Sequence, residues 1–567
     1  MKMILAVCFA LFANVVAGAD AEWWQTGTMY QIYPRSFQDS DGDGTGDIKG
    51  ITSRVPYLKN LGIGFVWLSP CLKSPMKDFG YDIEDYRMVD PLFGTNEDLI
   101  ELIGALHDAG IKLLMDFVPN HTSDKSAWFK ASRSSRTNGY RDWYIWRDPA
   151  PDGGPPNNWV SNFGGSAWTF DNNTQQYYYH EFGYFQPDLN YRNPAVREAV
   201  LTNFRFWLDH GVDGFRIDAV PFLLEDEQLR DEPVNPDSDG TDFDSLIHIY
   251  TQNFDGIHEI TNGWRNLVDT YEDRVTIGEV YADLETTMSY YGTKDKPEFS
   301  FPFNFQFIGI NPDNFTAVNV KDAISRYQEA MPKGKTGNWV VGNHDQHRVM
   351  SRLGNNTDLL RAMHVLLHTL PGVPTTYNGD EFGMKDVYVP WEDCRDPMCI
   401  NDPVHFATIG RDPERAPLQW DCSKNGGFST ANKTWLPMAE DYCSVNVEKA
   451  DADADSVLNM YRSLLAFRKT SKHILFGDFK LLSGLPDQVI AFTRTVKGEG
   501  KMLVVINFSA DSIAKVDLSA AGFRTKEAKV VFASHQHTSK RFNLKAGINL
   551  HGGDALIFTE VAEYSLD

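Results

Sequence analysis

Short apolar runs alternate with amphipathic stretches from residue 29 to residue 381. Eight of the runs read as strands: residues 29–34, 64–70, 112–119, 214–220, 275–280, 299–307, 339–345 and 373–381. Most are apolar throughout, the pattern of a strand covered on both faces. Helical patterns lie between several of them, among them residues 96–110 and residues 194–211. The second closes on His210 and Gly211, a fitting last turn and C-cap. Strands and helices alternating over this length predict an α/β fold. A closed parallel (β/α)8 barrel of the TIM type fits better than an open doubly wound sheet.

Three stretches break the rhythm. Residues 122–190 are rich in Trp, Gly, Pro and Asn with little periodicity, and a connection of that length is functional or a subdomain of its own. It is expected to fold over the barrel mouth. Residues 386–445 form a second irregular, cysteine-bearing insert. From 478 to 567 the texture becomes short alternating runs at 488–496, 501–509, 528–534 and 554–561, which predicts an antiparallel β-sandwich. The barrel itself is expected from residues 20–121 and 191–477.

Composition narrows the class. Of 567 residues, 53 are Lys or Arg and 77 are Asp or Glu, a net charge of −24 that argues against a nucleic-acid partner or an anionic membrane surface. Residues 1–19 have the form of a signal peptide: Lys2, an apolar run from Ile4 to Val16, and small residues at Ala17-Gly18-Ala19. No later run reaches the length of a membrane-spanning helix, and residues 560–567 offer no hydrophobic tail for a lipid anchor. Secretion to an extracellular, digestive space follows as an expectation. Cysteine usage agrees. Cys8 leaves with the leader, Cys71 follows a strand and reads as a buried thiol, and Cys394, Cys399, Cys422 and Cys443 suggest two disulfides. Three pairings are open, with the nearest-neighbour one expected. Glycosylation sequons stand at Asn172, Asn314, Asn355, Asn432 and Asn507.

Candidate chemistry collects at the C-terminal ends of the strands, where such a barrel builds its site. The third strand ends in Asp116, Asn120 and His121, the fourth in Arg216 and Asp218, the fifth in Glu279, and the seventh in Asn343, His344 and Asp345; Tyr81 and Asp82 follow the second. One acid at a strand end is commonly a cap or a solvated loop residue. Four acids and two histidines on one rim are not explained that way. With no cysteine nucleophile and no His-rich metal spacing, the set suits glycosidic bond cleavage. That reaction needs one acid to protonate the leaving oxygen and one carboxylate to meet the oxocarbenium-like centre. A third acid raises the pKa of the proton donor by like-charge repulsion.

The motifs DFVPNH (116–121), GFRIDAV (214–220), GEV (278–280) and VGNHD (341–345), in that order, resemble the four signature regions of the α-amylase superfamily, glycoside hydrolase family 13. QPDLN (186–190), YQIYPRSF (30–37) and GRDPERAPLQW (410–420) are similar to its oligo-1,6-glucosidase and α-glucosidase subgroup, most of all its insect maltases. The resemblance implies Asp218 as nucleophile, Glu279 as acid/base and Asp345 as a third acid gripping sugar hydroxyls. It implies Arg216 as the partner that keeps Asp218 ionised, and His121 and His344 as hydroxyl ligands. Tyr81 would stack on the sugar, with Asp82 and Arg415 clamping its far end. A closed pocket of this kind implies a retaining enzyme that releases terminal glucose from maltose, short oligosaccharides and sucrose. Asp116 is expected to support the site. Small residues at the place of Ala219 accompany α-1,4 preference in the subgroup, whereas Val accompanies α-1,6; barrel packing alone also explains an Ala there. Two other outcomes stay open: a transglycosylating enzyme, and a non-catalytic binding or receptor homologue on the same fold.

Asp39, Asp41, Asp43, Thr45 and Asp47 occupy alternate positions like the first nine of an EF-hand loop, with Gly44 at the sharp turn, but position twelve is Gly50 where the bidentate Glu belongs. In the resembling α-glucosidases such a loop holds a structural Ca²⁺ through its Asp side chains and the carbonyl at the Thr45 place. A solvated acidic turn is the plain alternative.

Overall fold

The computed structural model describes residues 21–560 except 239, 241, 311, 526 and 536–540. The leader, Cys8 and the last seven residues of the C-terminal unit lie outside the described residues. All eight predicted barrel strands are present: β1 (Met29–Ile32), β2 (Phe65–Leu68), β3 (Lys112–Phe117), β4 (Gly214–Ile217), β5 (Val275–Gly278), β6 (Phe301–Pro302), β7 (Asn338–Val340) and β8 (Val373–Tyr377). They pair in parallel in the order β6-β5-β4-β3-β2-β1-β8-β7. The backbone ladder runs between β6 at one end and β7 at the other, and side chains span the seam between them. Asn304 Nδ2 donates to the Asn338 carbonyl at 3.0 Å, and Asn338 Oδ1 accepts from Asn304 N at 3.4 Å. The expected nine-residue sixth strand is cut to two residues, because Pro302 has no N–H to continue a ladder.

The helices follow their periodicity. In Asn96–Asp108, Leu99, Leu102, Ile103 and Leu106 are buried at i, i+3, i+4 and i+7, and Thr95 and Asp98 form a capping box. In Pro194–Asp209, Asn193 caps the start, Pro194 takes the first turn, and Gly211 at φ +95° releases the chain toward β4.

Residues 122–190 carry a helix (Ala127–Ser134) and an antiparallel sheet of Trp146–Arg147, Gln176–Tyr179 and Trp168–Asp171. Backbone bonds from Leu189 to Asn120 and from Thr122 to Pro187 tie its two ends to the rim. At the C-terminus a six-stranded antiparallel sheet packs one face on the barrel helix Thr357–Thr369, through Ile490, Phe492, Val504 and Ile557. The other face is covered by the two-stranded ribbon Ile513–Val516/Ile548–Leu550.

Both disulfides are nearest-neighbour pairs, Cys394–Cys399 and Cys422–Cys443, with Cα separations of 6.4 and 4.3 Å, and Cys71 is a buried free thiol. Asn172, Asn314, Asn355 and Asn432 are exposed. Asn507 is not a glycan acceptor: it is fully buried, and its amide nitrogen donates to the carbonyls of Asp511 and His551. No helix among the described residues is long and apolar enough to cross a membrane.

Candidate active site

Strand register assembles the centre. Asp116 on β3 pairs with Arg216 on β4, and Ile217 pairs with Gly278 on β5, so Asp218 and Glu279 leave adjacent strands at the same level. Arg216 and Asp218, two residues apart, face the same side. The Arg216 guanidinium is 1% exposed and serves three carboxylates. Its Nη1 donates to Asp218 Oδ1 at 2.6 Å and to Asp116 Oδ1 at 3.0 Å, and its Nη2 lies 2.5 Å from Glu279 Oε1. Trp67 lies under the guanidinium, 4.9 Å from ring centroid to Cζ, and donates Nε1–H to Asp116 Oδ2 at 3.0 Å. Glu279 Oε2 accepts the Ala219 backbone N–H at 2.9 Å. Ala219 reaches that position in the left-handed region, φ +50° and ψ 35°, a conformation that costs an alanine free energy and is held by the packing around it.

Across the rim, Asp345 is gripped by two more guanidiniums. Its Oδ1 accepts from Arg411 Nη1 at 2.9 Å and from Arg415 Nη2 at 2.8 Å, and His344 Nε2 is 3.3 Å from Oδ2. The open space is a cavity of about 500 Å³ lined by Asp218, Glu279 and Asp345 together with Tyr81, His121, Ala219, Tyr281 and Arg411. Residues 122–190 contribute Phe163, Phe182 and Gln186 to it, and the connection after β4 contributes Phe222 and Phe243.

The electrostatics separate the acids. Burial pushes Glu279 up to about 8; Arg216 opposes this, and the charges of Asp218 and Asp345 add to it. Burial also raises Asp218, with Arg216 pulling the other way and Asp116 adding repulsion; a side-chain hydrogen bond from Glu279 favours its carboxylate form. Burial would raise Asp345 too, but His344, Arg411 and Arg415 outweigh it and hold this carboxyl well below the usual range. Burial lowers His121 to about 4, so its ring is neutral near pH 7, and burial lowers His344 against the opposing pull of the Asp345 charge.

Five of the expected residues, Tyr81, His121, Asp218, Glu279 and Asp345, therefore line one cavity; Arg216 and His344 stand behind them, and Asp82 and Arg415 are turned elsewhere. Asp82 is fully buried beneath the wall, its carboxylate accepting from Ser74 Oγ, Lys77 N and Asp78 N. Arg415 is spent on Asp345 and the His344 carbonyl. The positions expected of them are taken by Asp78 and Arg411, which line the cavity and pair at 3.2 Å. Gln186 holds Asp78 through Nε2 at 2.9 Å, and Asp396 braces Arg411 at 2.6 Å. Tyr81 lies in the wall with its hydroxyl 2.7 Å from His344 Nε2 and 3.1 Å from Asp116 Oδ2. His344 sits behind it, bonded to Gln31 at 2.8 Å. Sequence reasoning also missed Tyr281, which lies face to face with Phe305 at 4.0 Å beside Glu279.

In the acidic loop the side chains of Asp39, Asp41 and Asp43 converge, with ligand atoms within 4.8 Å of one another. Asp47 caps the helix Ile48–Ser53 instead, accepting from Gly50 N, Ser40 N and Ser40 Oγ. Burial raises Asp43, and the like charges of Asp41, Asp39 and Asp47 add to that. Among the described residues no Lys or Arg pairs with these three carboxylates, so a hard cation fits the donor set.

Comparison with known proteins gives a consistent picture. The family model for the alpha amylase catalytic domain matches residues 31–477. Maltase 1 of Drosophila virilis is 45% identical over 511 residues, covering 88% of this chain and 80% of that protein. An amino acid transporter heavy chain of Homo sapiens is 40% identical over 552 residues, 95% of this chain and 78% of its own. The crystal structure of the alpha-glucosyl transfer enzyme XgtA matches with a TM-score of 0.86 at 35% identity, over 96% of this chain and all of that one.

Proposed function

The chain belongs to the α-amylase family of glycoside hydrolases, and from that premise we propose that it is a secreted, retaining, exo-acting α-glucosidase of the maltase type. The observation that carries the mechanism is the contact between Asp218 and Glu279. The two share the Arg216 fork, Nη1 donating to Asp218 Oδ1 at 2.6 Å and Nη2 lying 2.5 Å from Glu279 Oε1. Two carboxyl groups held on one guanidinium suit the retaining arrangement, in which one of the pair attacks the sugar directly. Asp218 attacks the anomeric carbon while Glu279 gives its proton to the departing glycosidic oxygen, leaving a glucosyl ester on Asp218. Glu279, now ionised, takes a proton from water, whose oxygen displaces Asp218 and restores the original anomeric configuration. Asp345 stays ionised to accept hydrogen bonds from sugar hydroxyls, as does Asp78 across the cavity, with Arg411 bridging the two. Terminal α-1,4-linked glucose is the proposed donor residue, in maltose, short oligosaccharides and sucrose.

Asp218→Asn and Glu279→Gln are expected to abolish maltose hydrolysis with unchanged melting, and fresh product followed by NMR should be α-glucose. Near-normal turnover by either variant, or β-glucose as the first product, refutes the assignment. Kinship with a transporter heavy chain raises a non-catalytic reading, against which the complete acid set weighs. The likeness to a glucosyl transfer enzyme raises a second one, in which a sugar replaces water in the last step. Product analysis at high maltose concentration separates hydrolysis from transfer. Secretion is supported by the leader pattern and the two disulfides. Ca²⁺ at Asp39, Asp41 and Asp43, with the Thr45 carbonyl, would brace a loop packed against residues 429–433.

A further inference from the structure

Next to the substrate cavity lies a second one of about 220 Å³, lined by His347, Asp386 and Val387 among others, and His347 faces both. In the partition three side chains from three segments meet. His347 follows β7, Asp386 follows β8, and Glu414 lies on the turn between Arg411 and Arg415. His347 Nδ1 is 3.1 Å from Asp386 Oδ2 and 3.8 Å from Glu414 Oε2, and all three ligand atoms lie within 4.8 Å of one another. Bonds of 2.0–2.1 Å to a tetrahedral ion separate neighbouring donors by about 3.4 Å, which falls between the two distances.

The donors are held from behind. Asp386 Oδ1 accepts the Arg348 backbone N–H at 2.8 Å, leaving Oδ2 aimed at the cluster. The Asp386 backbone N–H in turn donates to Ser351 Oγ at 2.9 Å, which fixes that residue's backbone. The Glu414 side chain is 2% exposed and its Oε2 accepts no hydrogen bond. A buried carboxylate oxygen without a donor is costly, and the nearest cationic group, His347 Nδ1 at 3.8 Å, lies beyond hydrogen-bond reach. The nearby cations are engaged elsewhere: Arg352 on the carbonyls of Val341, Phe307, Ile308 and Ile310, and Arg415 on Asp345.

We propose that His347 Nδ1, Asp386 Oδ2 and Glu414 Oε2 form a site for a borderline divalent ion such as Zn²⁺, in the wall between the two cavities. One imidazole nitrogen with two carboxylates selects such an ion over Ca²⁺ or Mg²⁺, and three protein ligands leave a fourth position open toward the cavity. The bound ion clips the turn carrying Arg411 and Arg415 to the loops after β7 and β8, and so bears on the two guanidiniums that hold Asp345.

The test is calorimetric titration of ZnCl₂ into the full chain, stripped by chelator and returned to saturating Ca²⁺ so that the acidic loop is filled. One saturable equivalent is expected, weakened about a hundredfold or more in Asp386→Asn and in His347→Gln. Asn at 386 keeps an acceptor for Arg348 N, and metal-free melting curves check that both variants fold. Independently of any variant, Co²⁺ added to the wild type should give the visible absorption of a four-coordinate site, removed by stoichiometric Zn²⁺. No saturable Zn²⁺ binding by the wild type, or unchanged affinity in both folded variants, overturns the proposal.

Discussion

Replacing Asp116 with Asn isolates one electrostatic effect that the site makes large. Arg216 Nη1 donates to Asp116 Oδ1 at 3.0 Å and to Asp218 Oδ1 at 2.6 Å. Those oxygens are thus no more than about 5.6 Å apart, and at an effective dielectric of about 20 two charges at that separation repel by about 3 kcal/mol. At about 1.4 kcal/mol per pH unit, removing the Asp116 charge lowers the pKa of Asp218 by about 2 units. Arg216, freed of one carboxylate, acts in the same direction. Asp218 must be ionised to attack, so the acid limb of kcat/KM for maltose moves to lower pH. The alkaline limb, set by loss of the Glu279 proton at about 8, moves less. Asn also turns an N–H toward a donor, Arg216 or Trp67, at a stability cost of about 1–3 kcal/mol, which thermal melting reads separately. The assay is glucose release across the pH range at limiting maltose. An acid limb that stays in place or moves up in a folded variant would falsify the coupling.

Asp78→Asn should lower kcat/KM for maltose about tenfold to a hundredfold with little change in melting, as loss of one charged hydrogen bond implies. Asp82→Asn, beneath the wall, should do the reverse and cost about 1–3 kcal/mol of stability. Equal effects on catalysis would dissolve the distinction between them. Chelation with EDTA should lower the melting temperature and Ca²⁺ should restore it; an unchanged curve leaves the acidic loop as a solvated turn. Ala219→Val places a β-branched residue at φ +50°, so melting should fall. If the side chain selects linkage, the ratio of maltose to isomaltose turnover should fall at least about fivefold, the effect of about 1 kcal/mol in a hydrophobic contact. An unchanged ratio assigns Ala219 to packing alone.

The barrel was legible because its strands are buried on both faces and therefore read as continuous apolar runs, and because Gly and Asn punctuate the helices between them. The sixth strand was over-read: residues 299–307 are apolar enough for a strand, but a hydrophobic pattern carries no information on where Pro302 breaks the ladder. Among site residues, those on strand ends were found and those on irregular segments were displaced. Asp82 for Asp78 and Arg415 for Arg411 are the same error, four residues apart in each case. Arg411 caps the helical turn Asp412–Arg415, so both arginines reach one side and both touch Asp345. Nothing in their spacing tells which guanidinium lines the cavity. The aromatic wall of Phe163, Phe182, Phe222 and Phe243 was invisible for a related reason. It comes from connections without periodicity, where exposure is set only by tertiary packing. Asn507 shows the converse: a sequon is a local pattern, and burial of its amide is not local.

The division of labour among the acids follows from how guanidiniums are shared out. On one side Arg216 faces Asp116, Asp218 and Glu279, three largely buried carboxyl groups to one cation. They cannot all be ionised, and burial raises each: Asp116 to about 6, Asp218 above its ordinary range, Glu279 to about 8. The surplus is removed as a proton, and it resides on Glu279, which burial raises furthest and which the charges of Asp218 and Asp345 both oppose as a carboxylate. Asp218 is favoured as carboxylate by the shortest Nη1 contact and by the proton of its neighbour. Asp345, by contrast, has two guanidiniums to itself and stays charged. Its charge in turn helps keep the proton on Glu279. One arrangement of three arginines thus spreads the three acids over different proton affinities, which in the proposed mechanism are those of nucleophile, proton donor and hydroxyl acceptor. That is why exchanging Arg216 for Lys, a point charge with no fork, should shift both limbs of the pH profile of maltose hydrolysis, through Asp218 and Glu279, while leaving Asp345 charged, even though the net charge is unchanged.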